Sequence, residues 1–355
     1  MSRPGPASVE FRGVTKRYGA VTAVDAVSFV IEPGTLVTLL GPSGCGKTTT
    51  LRLIAGLEIA SAGRVLIGGR DVTSLSATQR DVSMVFQSYA LFPHMSVLDN
   101  VAYGPTVQGA GKARAREMAR EKLGLVGLDG LEARSPSELS GGQQQRVAVA
   151  RALVLEPGVL LFDEPLSNLD AKLRRRVRDD IRELQTKLNL TVAYVTHDQE
   201  EALAVSDRVI VMSNARVAQS GTPRELYEEP ASLFVADFIG DANLVSAEIV
   251  EERGERALAR LCGLELDLLR RGAPRGPVTL AIRPDALVLH RAPPSGATAI
   301  EARVAKSSYL GRHVECTVTT PVGDLLAIDR GSDVLPAGTE VWVSFAAHGV
   351  TVVPA

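Results

Sequence analysis

An apolar run followed by a glycine-rich turn is the feature that most constrains this chain. The run LVTLL at Leu36–Leu40 is typical of a strand buried in a parallel sheet. The next residues, GPSGCGKT, match the pattern G-x-x-x-x-G-K-[ST]. Because glycines tolerate positive φ and close approach, such a loop curls its backbone N–H groups around phosphate oxygens at the start of a helix. The sequence therefore predicts a nucleotide-binding loop made of Gly41, Pro42, Ser43, Gly44, Cys45, Gly46, Lys47, Thr48 and Thr49.

Three side chains of this loop carry the predicted chemistry. Lys47 would place a positive charge near the β- and γ-phosphates, and Thr48 would offer a hydroxyl to Mg²⁺. Cys45 precedes Lys47 by two residues, where the pKa of a thiol tends to fall. A reactive thiolate and a buried, unreactive thiol are equally compatible with the sequence.

Two carboxylates follow a second buried strand. The run VLLF at Val159–Phe162 ends in Asp163 and Glu164. In open α/β sheets, ligands bind at the carboxyl ends of the strands. We therefore expect Asp163 to hold Mg²⁺ and Glu164 to orient or deprotonate an attacking water.

A second helix begins at an anion-binding motif. Leu139-Ser-Gly-Gly-Gln143 precedes the helical pattern QQRVAVARALVL, and we call residues 139–143 the signature segment. Ser140 is a natural N-cap, and Gly141 and Gly142 leave backbone N–H groups open to an anion. On its own, this pattern favours an ordinary capped helix.

The order of elements predicts an α/β domain followed by an all-β domain. Helical patterns alternate with apolar runs to about residue 221, which favours a sheet covered by helices. Residues 291–298 read as a loop within the second domain. We place the domains at 8–240 and 241–355, with β-like runs in the second at 278–282, 286–289, 314–318 and 341–345.

Composition excludes several function classes. With 39 basic and 41 acidic residues, the chain shows no general basic character, so no nucleic-acid partner is expected. No stretch approaches the roughly 18 apolar residues that a membrane span requires, and no apolar leader region follows Met1. The three cysteines are widely separated, which argues against a disulfide framework. The simplest compartment is the cytoplasm.

Taken together, these motifs resemble the nucleotide-binding subunit of an ABC transporter. The order GPSGCGKT, Gln87, LSGGQ, VLLFDE, SNLD and His197 is the order of that family, and the resemblance covers about residues 8–240. It implies a P-loop, RecA-like cassette with antiparallel β and helical subdomains, and ATP hydrolysis with Mg²⁺.

The resemblance also implies a homodimer in which two chains share each ATP. Ser140, Gly141, Gly142 and Gln143 would contact the ATP held by the partner chain. Further roles follow by motif: adenine stacking for Tyr18, sensing of Mg²⁺ and the attacking water for Gln87, a dimer-interface loop for Asp170, and contact with the γ-phosphate for His197.

Residues 243–355 resemble the small, OB-like TOBE appendage of ATPases that serve binding-protein-dependent importers. The phrases FVADFIGDANLV, LAIRPDALVL and YLG carry this likeness. It implies a regulatory or dimer-supporting domain, integral permease subunits, an indirect link to a substrate-binding protein, and a place at the cytoplasmic face of the inner membrane. Ferric ion is the first choice of substrate, with polyamine, sulfate and aminoethylphosphonate as alternatives and a non-transport ABC ATPase as a remote one.

Overall fold

The computed structural model describes residues 5–294, 299–331, 333–346 and 348–354. The chain divides into two compact units, with the boundary in the sequence between Pro223 and Arg224. The division lies ahead of the predicted boundary at residue 240. Helix Leu233–Phe238 accounts for the difference, because its Ala236 packs with Ala281 and Val353 of the second unit.

The first unit contains two sheets. Five parallel strands and one antiparallel edge strand form the larger sheet, in the order β10-β9-β3-β8-β7-β6, and an antiparallel sheet has the order β2-β1-β4-β5. The strands are β1 (Val9–Tyr18), β2 (Val21–Ile31), β3 (Leu36–Leu40), β4 (Ala62–Ile67), β5 (Arg70–Asp71), β6 (Val82–Val85), β7 (Val159–Asp163), β8 (Val192–Val195), β9 (Arg208–Ser213) and β10 (Arg216–Gly221).

Burial follows the sequence pattern of these elements. Every residue of β3, β7 and β8 is buried, as expected for strands that helices cover. The long charged helix Ala171–Leu188 has a buried stripe at Val177, Ile181 and Gln185. The helices of this unit are α1 (Lys47–Ala55), α2 (Val97–Val107), α3 (Lys112–Leu125), α4 (Gly141–Leu153), α5 (Ala171–Leu188) and α6 (Gln199–Val205).

The second unit is built mainly of two five-stranded antiparallel sheets around one apolar core, which confirms the predicted all-β domain. The sheet orders are β13-β12-β11-β14-β20 and β15-β19-β16-β17-β18. Of the predicted loop at 291–298, residues 295–298 lie outside the described residues. The elements are α7 (Pro223–Glu228), α8 (Leu233–Phe238), β11 (Asn243–Arg253), β12 (Arg256–Leu261), β13 (Leu264–Leu269), β14 (Gly276–Ile282), β15 (Leu287–His290), β16 (Ile300–Tyr309), β17 (Val314–Thr320), β18 (Gly323–Asp329), β19 (Glu340–Phe345) and β20 (Val350–Val353).

Within the described part of the chain, no helix has both the length and the apolar character that a membrane crossing needs.

Candidate nucleotide site

The loop from Gly41 to Thr48, here called the phosphate loop, joins β3 to α1. Gly46 precedes the helix with φ 103° and no side-chain cap. A Cβ on Gly46 would lie 2.3 Å from the carbonyl oxygen of Ala23, and one on Gly41 would lie 2.3 Å from that of Met212. Both positions therefore require glycine, and the first N–H groups of α1 are left without a side-chain acceptor.

Lys47 is buried in the centre of this loop. Its ammonium donates to the carbonyl oxygens of Gly41 at 2.7 Å and Pro42 at 2.9 Å. These bonds hold the charge at the start of α1, where the helix dipole also favours an anion. Around it, Pro42, Ser43 and Gly44 are exposed, and Thr48 and Thr49 lie half-buried in the first turn of α1.

The environment of Cys45 does not fit a reactive thiolate, which is one of the two alternatives that the sequence leaves open. The residue is only 4% exposed, and its sulfur lies 3.9 Å from the Lys47 ammonium. Burial raises the pKa of the Cys45 thiol, because the cost of desolvating a thiolate exceeds the attraction of Lys47. The expected fall in pKa is therefore wrong, and the structure favours the protonated, unreactive thiol.

Asp163 ends β7 as a buried carboxylate beside the phosphate loop. Burial raises the pKa of Asp163; the Arg52 guanidinium opposes this rise, Glu164 adds to it, and a hydrogen bond with Thr48 opposes it. Carboxylate and hydroxyl oxygens are the ligands that Mg²⁺ prefers. Among the described residues, no cluster of three or more His, Cys, Asp and Glu is placed to hold a metal.

Glu164 and His197 meet at the carboxyl ends of adjacent parallel strands. Glu164 has φ 44°, and its N–H donates to the carbonyl of Val195 at 3.0 Å. Its Oε2 lies 3.1 Å from Nδ1 of His197, whose side chain is 61% exposed. The left-handed backbone at Glu164 is unusual for a residue with a Cβ, and such strain is concentrated at functional sites.

Gln87 and Tyr18 are both exposed. Gln87 lies in the turn after β6, and its carbonyl accepts a hydrogen bond from the Asn168 side chain at 3.0 Å. Asn168 is a site neighbour that sequence reasoning missed, although it stands in the quoted SNLD motif. Tyr18 ends β1 with 45% of its surface exposed, and the Lys16 ammonium lies 4.8 Å from its ring centroid.

The signature segment is capped by its own side chains. Ser140 Oγ accepts from the Gln143 N–H at 3.4 Å, and Gln143 Oε1 accepts from the Ser140 N–H at 2.9 Å. Gly141 and Gly142 pack against α5 and its preceding loop, since a Cβ on Gly142 would lie 2.9 Å from Leu173. Helix α4 packs on α2 and α3, whereas α1 packs on β7 and β8. The two helix starts thus stand on different layers of the unit.

Asp170 lies in the exposed turn before α5. Its Oδ1 accepts from the N–H groups of Lys172 at 3.1 Å and Leu173 at 3.0 Å, so it caps the helix.

Comparisons with known proteins agree with this geometry. The ABC transporter family model matches residues 24–167, and the TOBE domain model matches residues 280–353. A Rhizobium etli protein named "Fe(3+) ions import ATP-binding protein FbpC" is 59% identical over 351 residues, 99% of this chain and 99% of that protein.

Solved structures of similar cassettes include a dimer and a post-hydrolysis state. A bacterial ABC transporter cassette solved as a dimer has 31% identity and a TM-score of 0.55, covering 61% of this chain and 99% of that one. The same cassette, in a dimeric post-hydrolysis state with ADP and Pi, has 31% identity and a TM-score of 0.54, again covering 61% and 99%. The predicted fold class and family resemblance are confirmed. This chain is an ATP-binding ATPase subunit that belongs to the ABC transporter family.

Proposed function

We propose that this chain hydrolyses ATP to drive ferric ion import through a separate membrane permease. The observation that carries the proposal is similarity along the whole chain: the Rhizobium etli protein named for Fe(3+) import is 59% identical over 99% of both sequences. Identity that extends through the second unit supports the substrate class better than the cassette motifs, which all ABC ATPases share.

ATP would bind on the phosphate loop with its phosphates at the start of α1. Lys47 would exchange its two carbonyl acceptors for phosphate oxygens, and Tyr18 would stack its exposed ring on the adenine. Thr48, Asp163 and Gln87 would hold Mg²⁺, and the hard oxygen character of the first two supports this donor set. When bound, Mg²⁺ would neutralise phosphate charge.

Glu164 is the proposed group that orients or deprotonates the attacking water. Its carboxylate already lies beside the His197 ring at the strand ends, so His197 would position Glu164 through one nitrogen and contact the γ-phosphate through the other. Gln87 would sense the water from the turn after β6, and Asn168 would restrain that turn through the Gln87 carbonyl.

A second copy would complete each site. Ser140, Gly141, Gly142 and Gln143 would face the ATP bound by the partner, and Asp170 would lie at the dimer interface. The solved dimeric cassette supports this assembly, and the TOBE-like second unit would support the dimer. Permease subunits, contacted through the segment after Gln87, would place the chain at the cytoplasmic face of the inner membrane, with a substrate-binding protein as an indirect partner.

Uptake by the reconstituted transporter tests the substrate. Proteoliposomes containing this chain, its permease and its binding protein should accumulate Fe³⁺ only with internal ATP. Putrescine, sulfate and aminoethylphosphonate should neither be taken up nor stimulate ATP hydrolysis. Uptake of one of these solutes in place of Fe³⁺ would refute the ferric assignment while leaving the ATPase role intact.

A further inference from the structure

One guanidinium links two loops of the nucleotide site. Arg174, in the first turn of α5, donates from Nη1 to Asp198 Oδ2 at 3.2 Å and from Nη2 to the Leu169 carbonyl at 3.3 Å. Leu169 immediately precedes Asp170, and Asp198 immediately follows His197. A single side chain therefore joins the proposed dimer-interface loop to the segment that carries His197.

The segment around His197 is held on both sides by hydrogen bonds. The Asp198 N–H donates to Thr196 Oγ1 at 3.0 Å, and Asp198 Oδ1 accepts from the Glu201 N–H at 3.0 Å. The Thr196 hydroxyl donates to the buried Glu201 carboxylate at 3.0 Å. Because both neighbours of His197 are fixed in this way, a displacement of Asp198 would reorient the His197 ring rather than be absorbed by a flexible loop.

Arg174 also contacts the Leu169–Asp170 turn directly. The Arg174 N–H donates to the Asp170 carbonyl at 2.8 Å, while the Asp170 side chain caps the same helix. The Arg174 main chain and side chain thus both contact the Leu169–Asp170 turn. Its Nε is buried and has no hydrogen-bond partner among the described residues, so the guanidinium retains a donor for a second arrangement of this turn.

The link contributes little to stability. The Arg174 and Asp198 side chains are 36% and 28% exposed, and ion pairs in such settings are weak. The contact can still affect the rate, because small misplacements of catalytic groups lower the rate by large factors. A contact of this kind can therefore matter for turnover without mattering for folding.

We propose that Arg174 is a positioning residue that couples the Asp170 turn to His197, so that closure of the dimer at Asp170 sets His197 for hydrolysis. The inference rests on the roles proposed above for Asp170 and His197. It adds a residue to which no motif assigns a part.

Arg174→Met in the full-length protein tests the coupling, with Arg178→Met as the matched control. Arg178 lies one turn further along α5 and, among the described residues, pairs with Asp179 of its own helix at 3.2 Å. We expect Arg174→Met to lower kcat by at least about tenfold, with the KM for ATP and the Tm close to those of Arg178→Met. Asp198→Asn, which keeps a good helix cap, should show the same loss.

A double-mutant comparison distinguishes coupling from general damage. If Arg174 acts through His197, Arg174→Met should cause no further loss in a His197→Ala background. Equal kcat for the Arg174 and Arg178 variants, or a full additional loss in the His197→Ala background, would overturn the coupling alone. Full activity of His197→Ala by itself would overturn the proposed role of His197 and the coupling with it.

Discussion

The two helix starts that the sequence marks as anion sites are built in opposite ways. At α1, Gly46 leaves the first N–H groups without a side-chain acceptor, and Lys47 lies buried at the same point. At α4, Ser140 and Gln143 form a capping box in which the N–H groups of these two residues are bonded to side chains of the same chain. The start of α1 has no side-chain cap, whereas the start of α4 is already partly capped by side chains of its own chain.

This difference separates the two events of the proposed cycle. In this proposal, the first event is binding of ATP to one chain through its own phosphate loop and Tyr18. In the proposed closed dimer, the partner's signature segment would meet phosphate at a helix start that already has a cap worth about 1 kcal/mol, so we expect this contact to depend on bound ATP. Four experiments test this contrast.

Glu164→Gln should have the largest effect. The amide cannot take a proton from water, so turnover should fall by about 10³-fold while both helix starts remain intact. Unhydrolysed ATP should stay bound through gel filtration, since neither phosphate contact is lost. Glu183→Gln, an exposed position on α5, should behave as wild type. Rapid hydrolysis by the Glu164 variant would remove Glu164 from the mechanism.

Ser140→Arg should lower ATP turnover by about 10²-fold, because a bulky cation replaces a proposed donor to the partner's phosphate. ATP affinity measured by fluorescence titration should not change, since the chain's own phosphate loop is untouched. Ser135→Arg is the control, because Ser135 forms the same kind of capping box at Pro136–Glu138. An active Ser140 variant would end the proposed trans role.

Lys47→Ala should weaken ATP binding by about 10- to 100-fold, the loss expected when a charge-assisted bond to phosphate is removed. The measurement is the same titration, with Lys112→Ala at the start of α3 as control. Unchanged affinity would contradict the proposed contact between Lys47 and the phosphates of ATP.

Cys45 reports on how tightly the phosphate loop is packed. Because burial raises the pKa of its thiol, iodoacetamide should modify Cys45 at least about tenfold more slowly than the exposed Cys262. Peptide mass spectrometry over time gives both rates in one sample. Equal rates would show that the loop opens readily in solution.

Local motifs predict the site where the chemistry is local. The loop before α1 and the Ser140 cap each lie within a few consecutive residues, so the pattern alone predicts their local conformation. The predicted fall in the pKa of Cys45 is wrong because burial of the thiol depends on elements distant in the sequence. One of them is β9, whose Met212 lies close to Gly41. The links through Asn168 and Arg174 were missed for the same reason, since their partners come from other loops.

The fold shows the same limit. The parallel sheet follows from fully apolar runs such as Val159–Phe162, and strand pairing then brings Glu164 to His197. The division at Pro223 could not be predicted, because α8 is an ordinary amphipathic pattern until its Ala236 is seen against Ala281. Packing partners, not composition, decide to which unit a short helix belongs.

Cross-linking between the two helix starts tests the central claim, that one ATP site is made by two chains. Ser43→Cys and Ser140→Cys are combined with Glu164→Gln and Cys262→Ser, and a short bis-maleimide is added; both serines are exposed. We expect a covalent dimer at twice the 37.7 kDa chain mass that forms only with ATP, and none when Ser135→Cys replaces Ser140→Cys. Cross-links within one chain, or equal yield without ATP, would contradict the claim.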